Sequence, residues 1–246
     1  MIIKRTLVPS VFTTLNLLFG FLAIVSSLQG KVVTASWMII LAAIWDGVDG
    51  KIARKTQTCS EFGIQLDSIA DVVSFGVAPS ILVYQVFFYK IGVAGIALSF
   101  LPLMFGAIRL ARFNTNQDGF EKENFSGLPI PAMAATLAAY VIFNYDLWEG
   151  LRFAPLLVPL VLFLSILMVS NVEYQTMPKF SFREDKRNTV LMITLLTCIT
   201  VAVVFRQKAL FPLSFGFVVY YLFRYIVNNP KQVEEDEEEE AFDVKF

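Results

Sequence analysis

An all-α, polytopic membrane helical bundle is the fold class this sequence predicts, and three observations carry it. Of its 246 residues, 56% are hydrophobic and only 17% are charged, against about a quarter charged in a soluble domain. The mean hydropathy is +0.63. Apolar runs recur along the chain at about the length a helix needs to cross the ~30 Å hydrocarbon layer. No strand pattern and no soluble domain is evident between them.

Taken in order, the chain opens on a short polar entry, with Lys4 and Arg5 suited to a headgroup surface. The apolar run that follows leads to no clear small-residue cleavage site, so it is expected to stay as the first span, residues 11–28. Thr13, Thr14 and Asn16 are polar residues near its charged end. They can satisfy the helix end, or Asn16 can face a site on the same membrane side. The second span is expected over about 33–49 and the third over about 60–89, joined by a short polar hinge, 55–59. Pro79 is expected to kink the third. A fourth span covers about 93–110 and ends in Arg109-Leu-Ala-Arg112-Phe-Asn114. Gly127-Leu-Pro-Ile-Pro131 opens a fifth, about 129–145, and three more follow at about 153–172, 189–205 and 210–227. The total is eight spans. Residues 1–230 are read as one transmembrane domain and 231–246 as an acidic, disordered cytoplasmic tail.

The near-neutral formal charge of −1 conceals that tail. From Glu234 onward it holds eight acids and one base, leaving 19 bases against 13 acids in the rest, a net +6. A cationic body suits anionic lipid surfaces and a phosphorylated substrate. No nucleic-acid partner is expected. With eight spans both termini share one face, and that face collects most of the Lys and Arg, among them Arg54, Arg109 and Arg112. The positive-inside rule makes it cytoplasmic.

Function concentrates between residues 46 and 71. The stretch reads Asp46-Gly-Val-Asp49-Gly50-Lys-Ile-Ala53-Arg54, then eight residues, Gly63, Asp67 and Asp71. At about 100° per residue, Asp46, Asp49, Gly50, Ala53 and Arg54 share one helix face, and Gly63, Asp67, Asp71 and Ser74 share a face of the next helix. If the two helices pack antiparallel, four carboxylates converge. Their repulsion and desolvation call for cations. Oxygen donors select hard ions, Mg²⁺, Mn²⁺ or Ca²⁺, and four acids suit a pair of them. Gly50 and Ala53 leave surface open to a phosphate, and Arg54 can meet its oxygens. The chain has no His, which excludes imidazole catalysis and a Ser-His-Asp triad. Cys59 and Cys198 are far apart and in no ligand pattern, so no disulfide is inferred.

The spacing D-x2-D-G-x2-A-R-x8-G-x3-D-x3-D, from Asp46 to Asp71, resembles the signature of the CDP-alcohol phosphotransferases, integral membrane enzymes of phospholipid synthesis. The segments 66–79, 111–114 and 127–132 resemble the phosphatidylserine synthase branch. The resemblance implies a six-helix core, with the last two spans as an addition, and a homodimer. It implies that Asp46, Asp49, Asp67 and Asp71 bind two Mg²⁺ or Mn²⁺ ions, that Asp71 is the general base, and that Asp49, Gly50, Ala53 and Arg54, with Asn16 nearby, meet CDP-diacylglycerol. The expected reaction moves the phosphatidyl group to the hydroxyl of L-serine, releasing CMP. Arg109 or Arg112 is expected to pair with serine's carboxylate, or to anchor a helix end. Other acceptors fit the same chemistry: inositol phosphate, glycerol phosphate or choline. A cation transporter using intramembrane acids is the out-of-class alternative, although a cation path gains nothing from Arg54.

Overall fold

A computed structural model describes residues 3–56, 61–116, 127–172, 174, 205 and 207–228, with the backbone alone at 3–10, 51–56, 61, 115–116 and 228. All regular structure among them is helical. Helix α1, Ile3–Leu28, turns through Gly30 into α2, Val32–Thr56. Helix α3, Glu61–Asp71, passes without a break through a π-helical stretch, Val72–Val77, into α4, Ala78–Val86. Helices α5, Val93–Asn116, and α6, Ile130–Trp148, follow, then α7, Leu157–Val169, and α8, Gln207–Asn228.

Six helices among the described residues are long and apolar enough to cross a membrane: Val11–Leu28, Val32–Gly50, Phe62–Val86, Val93–Asn114, Ile130–Trp148 and Gln207–Val227. The chain is a multi-pass membrane protein. The run expected over 153–172 forms a shorter apolar helix, Ala154–Val169, because Ser170 turns to an extended conformation and ends it. The span expected at 189–205 lies almost wholly outside the described residues, as does the acidic tail.

Burial follows a membrane pattern. The centre is apolar, with Ile39, Phe75, Leu82, Leu137 and Leu164 fully buried. The perimeter is apolar too: Phe21 is 57% exposed, Ile166 61% and Phe223 66%. In water such a perimeter would oppose folding, whereas lipid solvates it. Helices therefore gain little by hiding apolar faces and rely on close packing of small residues. Helices α2 and α6 pack against each other, and Ala35, Ala42, Ala134 and Ala138 are wholly buried. On α1 the buried residues Thr13, Asn16, Gly20, Ala23 and Ser27 recur at intervals of three and four, the period of one helix face.

Two features position the site. The first is the π stretch. Pro79 lacks an N–H and its ring crowds the carbonyl one turn back. The turn before it widens, with the Ala78 N–H reaching Val73 O, so the disturbance expected at Pro79 is absorbed as a π bulge directly after Asp71. The second is the start of α6. Gly127 has φ +85°, and a Cβ there would fall 2.2 Å from Met168 O. The Gly127 N–H bonds Val172 O at 2.9 Å and the Leu128 N–H bonds Leu167 O at 2.9 Å. The Gly-Leu-Pro-Ile-Pro segment thus docks on the last turn of α7, at Leu167, and on the extended residues after it, at Val172.

Candidate active site

Helices α2 and α3 bring together what the spacing had placed on two separate faces. One carboxylate oxygen from each of Asp46, Asp67 and Asp71 lies within 4.8 Å of the others. Carboxylates this close repel one another, and a cation between them relieves that repulsion. At an effective dielectric near 20, each ionised pair at this range repels by roughly 3–4 kcal/mol. Burial adds to that cost, since Asp71 is 8% exposed.

Asp49 sits one turn beyond Asp46 on α2 and is 5% exposed. It lies outside the three-oxygen cluster. Its Oδ2 accepts a hydrogen bond from the Thr13 hydroxyl, while its Oδ1 is buried and has no hydrogen-bond partner among the described residues. An oxygen-only donor set around a focus of negative charge, with one buried carboxylate oxygen still unsatisfied, fits hard divalent cations.

Helix α1 supplies the donors. The Asn16 side-chain amide donates to Asp71 Oδ1 at 3.1 Å, and Asn16 is fully buried. The Ser74 hydroxyl donates to the Asn16 carbonyl at 3.0 Å. Thr13, for which the sequence suggested no role beyond satisfying a helix end, donates to Asp49. Its signal was present in the sequence: Thr13 and Asn16 are three residues apart, hence on one helix face.

Helix α5 closes another side and separates the two arginines. Arg109 is half-buried and close enough to Asp71 for the two charges to act on each other. Its Nε is buried without a hydrogen-bond partner among the described residues. Arg112 is exposed and its Nη1 donates to Val169 O at 3.2 Å, a third contact at the end of α7. Asn114 Nδ2 donates to the Ser68 hydroxyl at 3.0 Å, tying the end of α5 beside Asp67. That pairing had no signal in the sequence, because the two residues are 46 apart. Gly50 is exposed at the end of the α2 span. Ala53 and Arg54 continue α2 by backbone, and their side chains lie outside the described residues.

Comparison with known proteins gives a consistent result. The family profile described as CDP-alcohol phosphatidyltransferase matches residues 6–169. A CDP-diacylglycerol–serine O-phosphatidyltransferase of Helicobacter pylori (strain J99) is 37% identical over 222 residues, covering 89% of this chain and 91% of that protein. An archaetidylserine synthase of Methanothermobacter thermautotrophicus is 36% identical over 170 residues, 68% of each chain. A CDP-diacylglycerol–serine O-phosphatidyltransferase of Bacillus subtilis is 35% identical over 168 residues, 68% of this chain and 89% of that one.

Proposed function

Because this chain belongs to the CDP-alcohol phosphatidyltransferase family, we propose that it transfers the phosphatidyl group of CDP-diacylglycerol to the hydroxyl of L-serine, giving phosphatidylserine and CMP. The observation that carries the reading is the convergence of Asp46, Asp67 and Asp71 near the ends of two membrane spans, with Arg109 acting on Asp71. Similarity to relatives named for serine transfer supports the acceptor.

Asp46, Asp49, Asp67 and Asp71 are the residues that would hold two divalent ions, Mg²⁺ or Mn²⁺. When bound, the ions neutralise phosphate oxygens and stabilise the departing CMP. Ca²⁺ can occupy the same oxygens. The other roles belong to the chain itself. Arg54, Gly50 and Ala53, with Asp49, receive the CDP group: the small residues let phosphate approach the helix and the guanidinium meets its oxygens. Asn16 stands at the same corner with its amide committed to Asp71. Arg109 receives serine's carboxylate, since a half-buried guanidinium with an unsatisfied Nε suits that anion. Asp71 takes the proton from the serine hydroxyl. The serine oxygen then bonds to the phosphorus that bears diacylglycerol, and the bond from that phosphorus to the CMP oxygen breaks. The span ends suit this substrate, because its acyl tails stay in hydrocarbon while its nucleotide stays in water.

The transmembrane domain is residues 1–230 and the acidic tail 231–246. The excess of Lys and Arg on one face supports a cytoplasmic side of the cell membrane for both termini and the acid site, where CDP-lipid and serine are available. The working unit is a homodimer.

The test is CMP release by purified protein in detergent, given CDP-diacylglycerol, Mn²⁺ or Mg²⁺, and a panel of alcohols. Serine-dependent release, abolished by EDTA, is the expected result. Release with inositol phosphate, glycerol phosphate or choline in place of serine would keep the site and discard the acceptor. A folded, metal-supplied protein that releases no CMP with any acceptor would overturn the reading.

A further inference from the structure

The carboxylates of the site lie on α2 and α3, yet two hydrogen bonds that orient them come from α1. Thr13 donates to Asp49 Oδ2 and Asn16 donates to Asp71 Oδ1. Both donors are buried, at 3% and 0% exposure, so water does not compete for them. An aspartate with no donor can rotate its carboxylate about a broad torsion. A donor on one oxygen stops that rotation and commits the other oxygen to the remaining direction. At Asp49 that other oxygen is Oδ1, buried and unpartnered among the described residues.

The donors cannot easily give way, because α1 is held at two further places. A Cβ on Gly20 would fall 2.2 Å from Ser74 Oγ and 2.7 Å from Ser74 Cα. Only glycine lets α1 seat this closely on the π stretch, and the seat is locked by Ser74 bonding the Asn16 carbonyl. About two turns earlier the Phe12 ring stacks on Trp45, centroids 5.8 Å apart, next in the chain to Thr13 and Asp46. Rotation of α1 would break both contacts together with both donor bonds.

We propose that Thr13 and Asn16 are positioning residues: one face of α1, seated through Gly20 and Ser74, sets the carboxylates of Asp49 and Asp71 and so sets the affinity of the site for divalent cations. This rests on the reading of those acids as cation ligands. Partners that orient metal ligands typically govern affinity by 10–100-fold. Asn16, expected to lie near the nucleotide, acts here through Asp71.

The experiment measures Mn²⁺ binding to the purified full chain in detergent, without substrate, by the paramagnetic resonance signal of free Mn²⁺. Thr13→Val keeps side-chain shape and removes the donor, and Asn16→Leu does nearly the same. Each is expected to weaken Mn²⁺ binding about 10–100-fold and to move half-saturation of turnover to correspondingly higher Mn²⁺. Thr13→Ser restores the hydroxyl and should restore the affinity. Gly20→Ala touches no acid and should weaken binding by unseating α1. The Thr13→Val and Thr13→Ser pair decides the matter if the other variants fail to fold. Variants that melt like wild type and bind Mn²⁺ like wild type would overturn the positioning role and leave the acids as ligands. A wild-type protein that binds no Mn²⁺ would overturn the cation reading and this inference with it.

Discussion

Arg109 and Arg112 are three residues apart on one helix, and the structure gives them opposite prospects. Arg109 is half-buried beside Asp71 with its Nε unsatisfied, whereas Arg112 is exposed and holds Val169 O at the end of α7. If Arg109 receives serine's carboxylate, Arg109→Ala removes a charge-assisted hydrogen bond at a largely desolvated site. Such a bond contributes about 1.5–3 kcal/mol, and each 1.4 kcal/mol is tenfold in affinity. The serine KM should therefore rise by roughly 10- to 100-fold, while the KM for CDP-diacylglycerol changes by less than about threefold. Arg109→Lys keeps the charge but loses the planar fork, so it should fall between alanine and wild type. Arg112→Ala should leave the serine KM nearly unchanged and act on stability, because it uncaps a helix end. The assay is CMP release at saturating CDP-lipid across a serine titration, with melting in detergent measured in parallel. Two results would refute the reasoning: an unchanged serine KM in folded Arg109→Ala, or the larger rise in Arg112→Ala.

Three further outcomes follow from the same geometry. Asp71→Asn keeps the size of the side chain and removes the base; turnover should drop by at least about 10²-fold while CDP-lipid binding to the purified protein persists, and near-wild-type turnover would dismiss Asp71 as the base. Arg54→Ala should weaken CDP-lipid binding, measured by direct titration, by about tenfold or more, the worth of a charge-assisted phosphate contact; unchanged affinity would remove Arg54 from the phosphate. Gly127→Ala meets both a positive φ and the Met168 carbonyl. It should destabilise the fold by about 1–3 kcal/mol, read as a lower melting temperature in detergent, and a wild-type melting temperature would show that the contact with α7 gives way freely.

The membrane class, the order of the spans and the two acid faces were legible in the sequence for a simple reason. Lipid forces every span to satisfy its backbone internally, so helix is the only regular form open to a single apolar run. Once a stretch is helical, a constant angle per residue dictates which side chains share a face. Asp46 with Asp49 and Asp67 with Asp71 follow from that count alone. The resemblance of the spacing to a known family was legible for the same reason, since a site built on two adjacent helices leaves its whole pattern within 26 residues.

What periodicity cannot supply is the rotation of one helix against another. That is set by side chains far apart in the chain, and only packing decided it here. Gly20 against Ser74 seats α1, and that seat delivers Asn16 to Asp71 across 55 positions and Thr13 to Asp49 across 36. The same applies to α5, where the sequence left two arginines equivalent. Docking of α5 on the π stretch and on α7 left Arg109 half-buried with its Nε unsatisfied and brought Arg112 to a helix end. The residues and their faces were written locally, because helical period is a local property. Their partners were not, because interhelical contact depends on which small residues let two backbones approach.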